Sequence, residues 1–377
     1  MRAMAAYFAH LGTTGFGGPV VLVERMRRDL VEGRGWISDA EYREGMALSQ
    51  IAPGPLAAQV AIYLGWLRGG IRGATAAGVA FIAPSFLMVM ALSAAYVRFS
   101  GLPWMRGAFY GVGAAAIALI AFSAYRLVRK TAQRDLVLWG IVVVNAAITA
   151  WTEQELVWLM VLSGLVMLVA RPEARRAMRG RLEVGSALLA IPPWWLTGVG
   201  GEAPLGMLPQ VALYFAKAGA VVFGSGLAIV PYLHGGVVQQ LQWLTEQQFL
   251  DAVAVSMLTP GPVVITVAFI GYLVAGPLGG IAAALGVFLP VYLFVVLLAR
   301  SFQRAARHPA VRAVVDGVTA AAAGAIGGAV VVLGGRALID VTTWVLFAIA
   351  LVLTVRVRRL PEPVLLLAAG VAGVFLS

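Results

Sequence analysis

Apolar residues dominate this chain in stretches too long and too unbroken to be one face of an amphipathic helix. They fall near 3–23, 45–67, 74–97, 108–126, 136–151, 155–170, 184–199, 206–231, 249–274, 279–299, 313–335, 338–355 and 361–377. About 20 helical residues cross a hydrocarbon core about 30 Å thick, so these are thirteen candidate spans, not all of which need cross. The polar intervals 24–44 and 171–183 are each too short to bury a core, so no soluble domain fits. The first stretch does not read as a cleaved signal peptide. Tyr7-Phe8-Ala9-His10 runs straight into glycine-rich sequence with no small-residue cleavage site before the next polar loop.

Two stretches are broken at their centres, by Pro53-Gly54-Pro55 and by Pro260-Gly261-Pro262. Proline lacks an amide hydrogen and clashes with the preceding turn, so a helix does not run through two prolines separated by glycine. Each break leaves arms of about ten to twelve residues, roughly 15–18 Å of helix. Such arms reach halfway across. The segments are therefore broken spans or re-entrant hairpins with their tips near the midplane, where bare backbone must face protein or a polar cavity.

The two breaks lie 207 residues apart, and the same offset aligns much more of the chain. Tyr7-Phe8-Ala9 pairs with Tyr214-Phe215-Ala216, Phe16-Gly17 with Phe223-Gly224, and Trp36-Ile37-Ser38-Asp39 with Trp243-Leu244-Thr245-Glu246. Ser49 pairs with Ser256; after a slip of one residue, Gly65, Gly73, Pro84 and Gly111 pair with Gly271, Gly279, Pro290 and Gly317. Chance similarity between apolar helices would match Leu, Ala and Val, not Trp and Pro-Gly-Pro. The chain is a duplication: an N-terminal repeat over 1–183, an interfacial linker over 184–205 and a C-terminal repeat over 206–377.

Composition sharpens this picture. Hydrophobic residues make up 61% and charged residues 12% of the 377 positions, against roughly 45–50% and 25% in soluble domains. The net charge of +11 serves to orient the chain in a bilayer rather than to bind nucleic acid. Cysteine is absent, which removes disulfides, thiol catalysis and thiolate metal sites. If both Pro-Gly-Pro segments return to the side they left and 184–199 lies along the interface, the basic loops collect on one side. Only Arg2, Arg98, Arg106 and Arg336 fall on the other, with Lys217 inside the membrane. This predicts an all-α polytopic membrane protein with about ten spanning helices and two re-entrant hairpins. The second half is inverted relative to the first, which is the architecture of secondary transporters.

The midplane then offers an anion site. Residues after Pro55 and Pro262 start new half-helices, whose unpaired amides carry positive partial charge toward the break. Phe16-Gly17-Gly18 and Phe223-Gly224-Ser225-Gly226 add glycine-rich backbone, and Ser49, Gln59, Ser256, Thr259 and Thr266 supply side chains to orient an oxyanion. His10 and Lys217 occupy equivalent positions in the repeat and place a cation in each half. Each feature has a plainer counterpart: glycines permit close helix packing, and Lys217 can snorkel to a headgroup. Asp251, Glu41 and Glu44 belong to the amphipathic entrances of the hairpins. The histidines His10, His234 and His308 are widely spaced without HExxH or paired carboxylates, so neither an enzyme, a metal nor a cofactor is expected.

These motifs resemble the chromate ion transporter family in its long two-domain form. The likeness runs through Phe16-Gly17-Gly18-Pro19, Glu24-Arg25, Asp29-Leu30-Val31-Glu32, Arg34-Gly35-Trp36-Ile37-Ser38, Pro53-Gly54-Pro55 and Gln59-Val60-Ala61. In the second half it runs through Phe223-Gly224-Ser225-Gly226, Pro231, Trp243-Leu244-Thr245 and Thr259-Pro260-Gly261-Pro262, departing from the first-half pattern at Ser225-Gly226. The resemblance implies transport of chromate, with sulfate as the look-alike oxyanion, usually as efflux conferring chromate resistance. The expected mechanism is alternating access between inverted repeats in an inner membrane, with basic loops cytoplasmic and the protein a monomer or homodimer. An ion-coupled sulfate uptake carrier and a passive anion channel are the alternatives.

Overall fold

The computed structural model describes residues 1–16, 18–99, 102–153, 156–179, 206–221, 226, 229–299, 308–357 and 360–376. Among them are fifteen α-helices and no strand: α1 (Arg2–Thr14), α2 (Gly18–Arg27), α3 (Asp39–Ile51), α4 (Leu56–Phe99), α5 (Pro103–Ala132), α6 (Leu136–Thr152), α7 (Val157–Ala170) and α8 (Pro172–Arg179) in the first half. The second half contains α9 (Met207–Val221), α10 (Ile229–Leu233), α11 (Glu246–Leu258), α12 (Thr266–Leu298), α13 (Pro309–Ala337), α14 (Val341–Arg356) and α15 (Glu362–Leu376). Four of these, α4, α5, α13 and the run Val263–Leu298, are long and apolar enough to cross a membrane, and α6, α7, α14 and α15 are shorter apolar helices. The chain is an all-α polytopic membrane protein.

The repeat extends to individual backbone angles. A capping box starts α3, with the Ser38 hydroxyl accepting from the Glu41 amide and the Glu41 carboxylate accepting from the Ser38 amide. Thr245 and Gln248 build the same box at α11. Before each box lies a π-helical turn, Arg28–Gly33 and His234–Gln240. The left-handed residues Gly35, Gly54 and Gly70 of the first half return as Gln242, Gly261 and Gly276 of the second.

Both Pro-Gly-Pro segments fold as hairpins. In the first, α3 returns along the start of α4, so that Gly45 lies against the Tyr63 ring and the Tyr63 hydroxyl reaches the Glu44 carboxylate at 3.4 Å. The chain reverses again inside α4, at Gly69 and Gly70, where the helical angles fail. Gly65 and Gly73 then press backbone to backbone, as do Gly271 and Gly279 around the break at Ala275-Gly276 in α12. Only glycine permits so close an approach. Each long helix is thus a short returning arm followed by a full crossing.

The crossing arms of α4 and α12 show how the halves are related. Thr75 meets Tyr292 through their hydroxyls at 2.7 Å, while Met90 packs on Gly280. Contacts that climb one helix while descending the other mean antiparallel packing. Because the two arms are equivalent in the repeat, the second half is inverted relative to the first. The halves also interlock: α6 and α7 of the first half pack on α13 of the second, and α14 and α15 pack on α5 of the first. Small residues make these seams, with Gly111 against Ala369 and Gly373, and its equivalent Gly317 against Ser163 and Gly164.

Within this class, the structure refines which segments cross. Stretch 3–23 looks like a span by length, yet it turns back near its middle. Gly15 packs on Leu22, Tyr7 donates to Asp29 at 3.3 Å, and Met1 lies against Gly69 and Gly73. Hence α1 enters and α2 leaves on the same face, and Arg2 joins the other arginine-rich loops. In the second half Tyr214 of α9 packs its ring on those of Tyr232 and Trp243. Hydropathy does not distinguish a span from two half-depth helices joined by glycine. The linker segment 184–199 lies outside the described residues, as do the edges of the expected domain boundaries.

Candidate functional site

The two hairpin tips cross over between the halves. Gly261, at φ +102, sits so close to Ser85 of α4 that a Cβ there would overlap the Ser85 Oγ. Gly54, at φ +132, sits against Val291 of α12, where a Cβ would come within 2.8 Å of Cγ2. Ser85 and Val291 follow the equivalent prolines Pro84 and Pro290, so each tip docks on the same point of the opposite half. The reciprocity is that of a two-fold relation. The Gly261 amide donates to the Gly15 carbonyl at 2.8 Å, and Ser85 Oγ donates to the Gly12 carbonyl at 3.2 Å. Gly226 lies beside Val263 and Val264, just past the second tip.

At the first tip, α4 begins behind Pro55, with Leu56, Ala57 and Ala58 all buried. The amides of a helix's first turn have no acceptor within the helix, and a buried unsatisfied amide costs about 1–3 kcal/mol. Backbone of this kind favours an anion. Gln59, fully buried, braces the tip: its Nε2 donates to the Ala52 carbonyl at 3.1 Å and the Pro53 carbonyl at 2.6 Å. Its Oε1 is left without a partner.

The other sequence-selected residues divide by what they touch. Ser49 donates to the Gly45 carbonyl, Thr259 to Ser256 and Thr266 to Val263. Their hydroxyl hydrogens are therefore committed to local backbone. Pro53, Pro55, Pro260 and Pro262 flank the two glycines as expected. Gly18, at φ +74, opens α2; Phe16 is exposed. His10 lies exposed on α1, and Lys217 is half-buried on α9 one turn beyond Tyr214. Gly17, Phe223, Gly224 and Ser225 lie outside the described residues. Ser85 escaped the sequence reading, although its place after Pro84, aligned with Pro290, marks the docking point.

Around the site, the face opposite the arginine-rich loops carries a charged cluster. Arg336 at the end of α13 pairs with both Glu153 and Glu246. Glu246 in turn contacts His234 Nε2 at 2.8 Å. Burial holds the His234 imidazole below its ordinary value of 6.5, so it favours the neutral form. On the arginine-rich face, Arg171 bridges Asp135 and Asp316 at 3.7 and 3.1 Å. No metal-ligating cluster occurs among the described residues.

Comparison with known proteins agrees with the duplication. The family described as Chromate transporter matches twice, over residues 2–168 and 209–374, at the spacing of the internal repeat. The chain is 52% identical over 373 residues to the chromate transport protein of Cupriavidus metallidurans, covering 99% of this chain and 92% of that one. It is 51% identical to a probable chromate transport protein of Synechococcus elongatus, over 99% of this chain and 95% of the relative. It is 32% identical to the chromate transport protein of Pseudomonas aeruginosa, over 85% and 78% respectively. No solved structure matches it. With the whole duplicated architecture covered, the chain belongs to the chromate transporter family.

Proposed function

We propose that this protein carries chromate across the bilayer by alternating access, with the anion held between the two Pro-Gly-Pro tips. The observation that carries the reading is the reciprocal docking of Gly261 on Ser85 and Gly54 on Val291. Each tip is part of one half and seated on the other, so rocking the halves exposes the same amides first to one face and then to the other. The relatives' names supply the substrate, chromate. Sulfate, a tetrahedral dianion of the same charge, is the natural competitor, because amide-rich helix starts read charge and shape rather than the central atom.

The arginine-rich face is assigned to the cytoplasm of an inner membrane by the positive-inside rule. Efflux then runs with the membrane potential, which favours a departing charge by about 2.3 kcal/mol per 100 mV and a dianion by roughly twice that. Labelled chromate in everted and right-side-out vesicles tests the assignment. Uptake concentrated into everted vesicles, competed by sulfate, is expected. Equal accumulation in both orientations would leave a channel rather than a carrier, and unchanged accumulation in the Pro262→Ala variant would remove the proposed site.

A further inference from the structure

On the face opposite the arginine-rich loops, a cleft of about 330 Å³ opens between α4, α5, α11 and α13. Its lining includes Asp251, Tyr96, Gln247, Arg106, Tyr110 and Arg336. Asp251 lies on hairpin helix α11 and is only 4% exposed. Its carboxylate accepts from the Tyr96 hydroxyl at 2.7 Å and from Gln247 Nε2 at 2.8 Å. Both partners are neutral. Arg336 of the charged cluster spends its guanidinium on Glu153 and Glu246 instead, and Arg106 stands exposed on α5. The Tyr110 hydroxyl is turned to Asp340, and His234, shifted by burial toward its neutral form, faces Glu246 rather than Asp251. A carboxylate with neutral donors only, set into a membrane hairpin, is costly as structure. A bound proton removes that charge.

The repeat supplies an independent sign. The residue equivalent to Asp251 is Glu44, which also receives a tyrosine hydroxyl, that of Tyr63. Inversion of the halves places these carboxylates at the entrances of the two hairpins on opposite faces. We propose that Asp251 is a proton-binding site loaded through the cleft and that its protonation admits the oxyanion to the second tip. The proposal rests on the tips being the anion site. From Asp251 to Pro260 along the helix is roughly 13 Å. At that range, removing a full negative charge strengthens dianion binding by roughly tenfold to a hundredfold in a medium of protein-like dielectric. Linkage is reciprocal, so anion binding also tightens the proton.

Two measurements test this separately from the transport reading. Infrared difference spectra of the purified full chain, titrated with pH without substrate, are expected to show a carboxylic-acid carbonyl band that disappears in Asp251→Asn. A spectrum unchanged by the substitution overturns the proton site whatever the protein transports. In proteoliposomes, wild-type chromate exchange is expected to strengthen tenfold or more as the pH on the cleft side falls. Asp251→Asn is expected to retain exchange with that dependence lost. A full pH dependence in Asp251→Asn overturns the coupling. Absence of chromate exchange in the wild type, with the infrared band intact, would instead overturn the substrate assignment.

Discussion

The amide of Gly261 donates to the carbonyl of Gly15 across 2.8 Å, tying the hairpin tip of the second half to the half-depth helix α1 of the first. Ser85 also stands against the same glycine. One residue therefore contacts two elements of the opposite half, and nothing larger than glycine fits between them. The position also carries φ +102, outside the range that side chains readily adopt.

Gly261→Ala is expected to abolish chromate accumulation changes in whole cells while the protein still reaches the membrane. Strain and overlap together push the tip from its seat, at a cost on the order of 1–3 kcal/mol. The double variant Ser85→Gly with Gly261→Ala relieves the overlap but not the backbone strain, so partial recovery is expected. Full activity of the single variant would show that the tip's seat is not needed.

The half-depth path of α1 and α2 makes a topological prediction that hydropathy does not. The chain has no cysteine, so single cysteines can be labelled without background. Arg2→Cys and Arg43→Cys are expected to react with an impermeant maleimide from the same face, and Arg106→Cys and Arg336→Cys from the other. Labelling of Arg2→Cys together with Arg106→Cys would restore 3–23 as a full span.

Acid should loosen the cluster at Glu246. Burial lowers the folded-state value of His234 below 6.5, so between those values the unfolded chain binds more protons than the folded one. Stability must then rise with pH and fall as the solution is acidified through about 6.5. Melting temperatures taken between about pH 5 and 7.5 should show this slope in the wild type and a flatter one in His234→Gln. A parallel pair of curves would mean that His234 does not carry the effect.

The two small-residue seams are equivalent and involve different partner helices, α15 and α7, so their perturbations should match and add. Gly111→Ala drives a methyl into the Ala369 carbonyl and Gly317→Ala into that of Ser163, each costing about 1–3 kcal/mol. Similar drops in melting temperature are expected, with the double variant near their sum. A drop in only one would mean that the two seams are not packed alike.

Much of the fold was legible because it is written in residues with one strong local consequence. Pro53-Gly54-Pro55 and Pro260-Gly261-Pro262 interrupt helices wherever they occur, and matched Trp36 and Trp243 reveal duplication without any coordinates. The hydroxyls of Ser49, Thr259 and Thr266 were read as ligands because their type allows it, yet each donates to a backbone carbonyl three or four residues back. Residue type states what a group can donate. Only neighbours decide where it does.

By itself the sequence determined the solvent, the class and the symmetry. A chain with 61% hydrophobic and 12% charged residues must lie in a bilayer, its backbone must close its hydrogen bonds in helices, and a repeat with sided arginines must invert. The tertiary structure alone decided which apolar stretches cross. Gly15 and Gly18 let 3–23 double back, and burial of a turn against other helices is invisible to hydropathy. It also decided that Ser85 and Val291 seat the opposite tips and that Asp251 opens to a cleft. Those facts depend on contacts between residues more than a hundred positions apart, which no local propensity encodes.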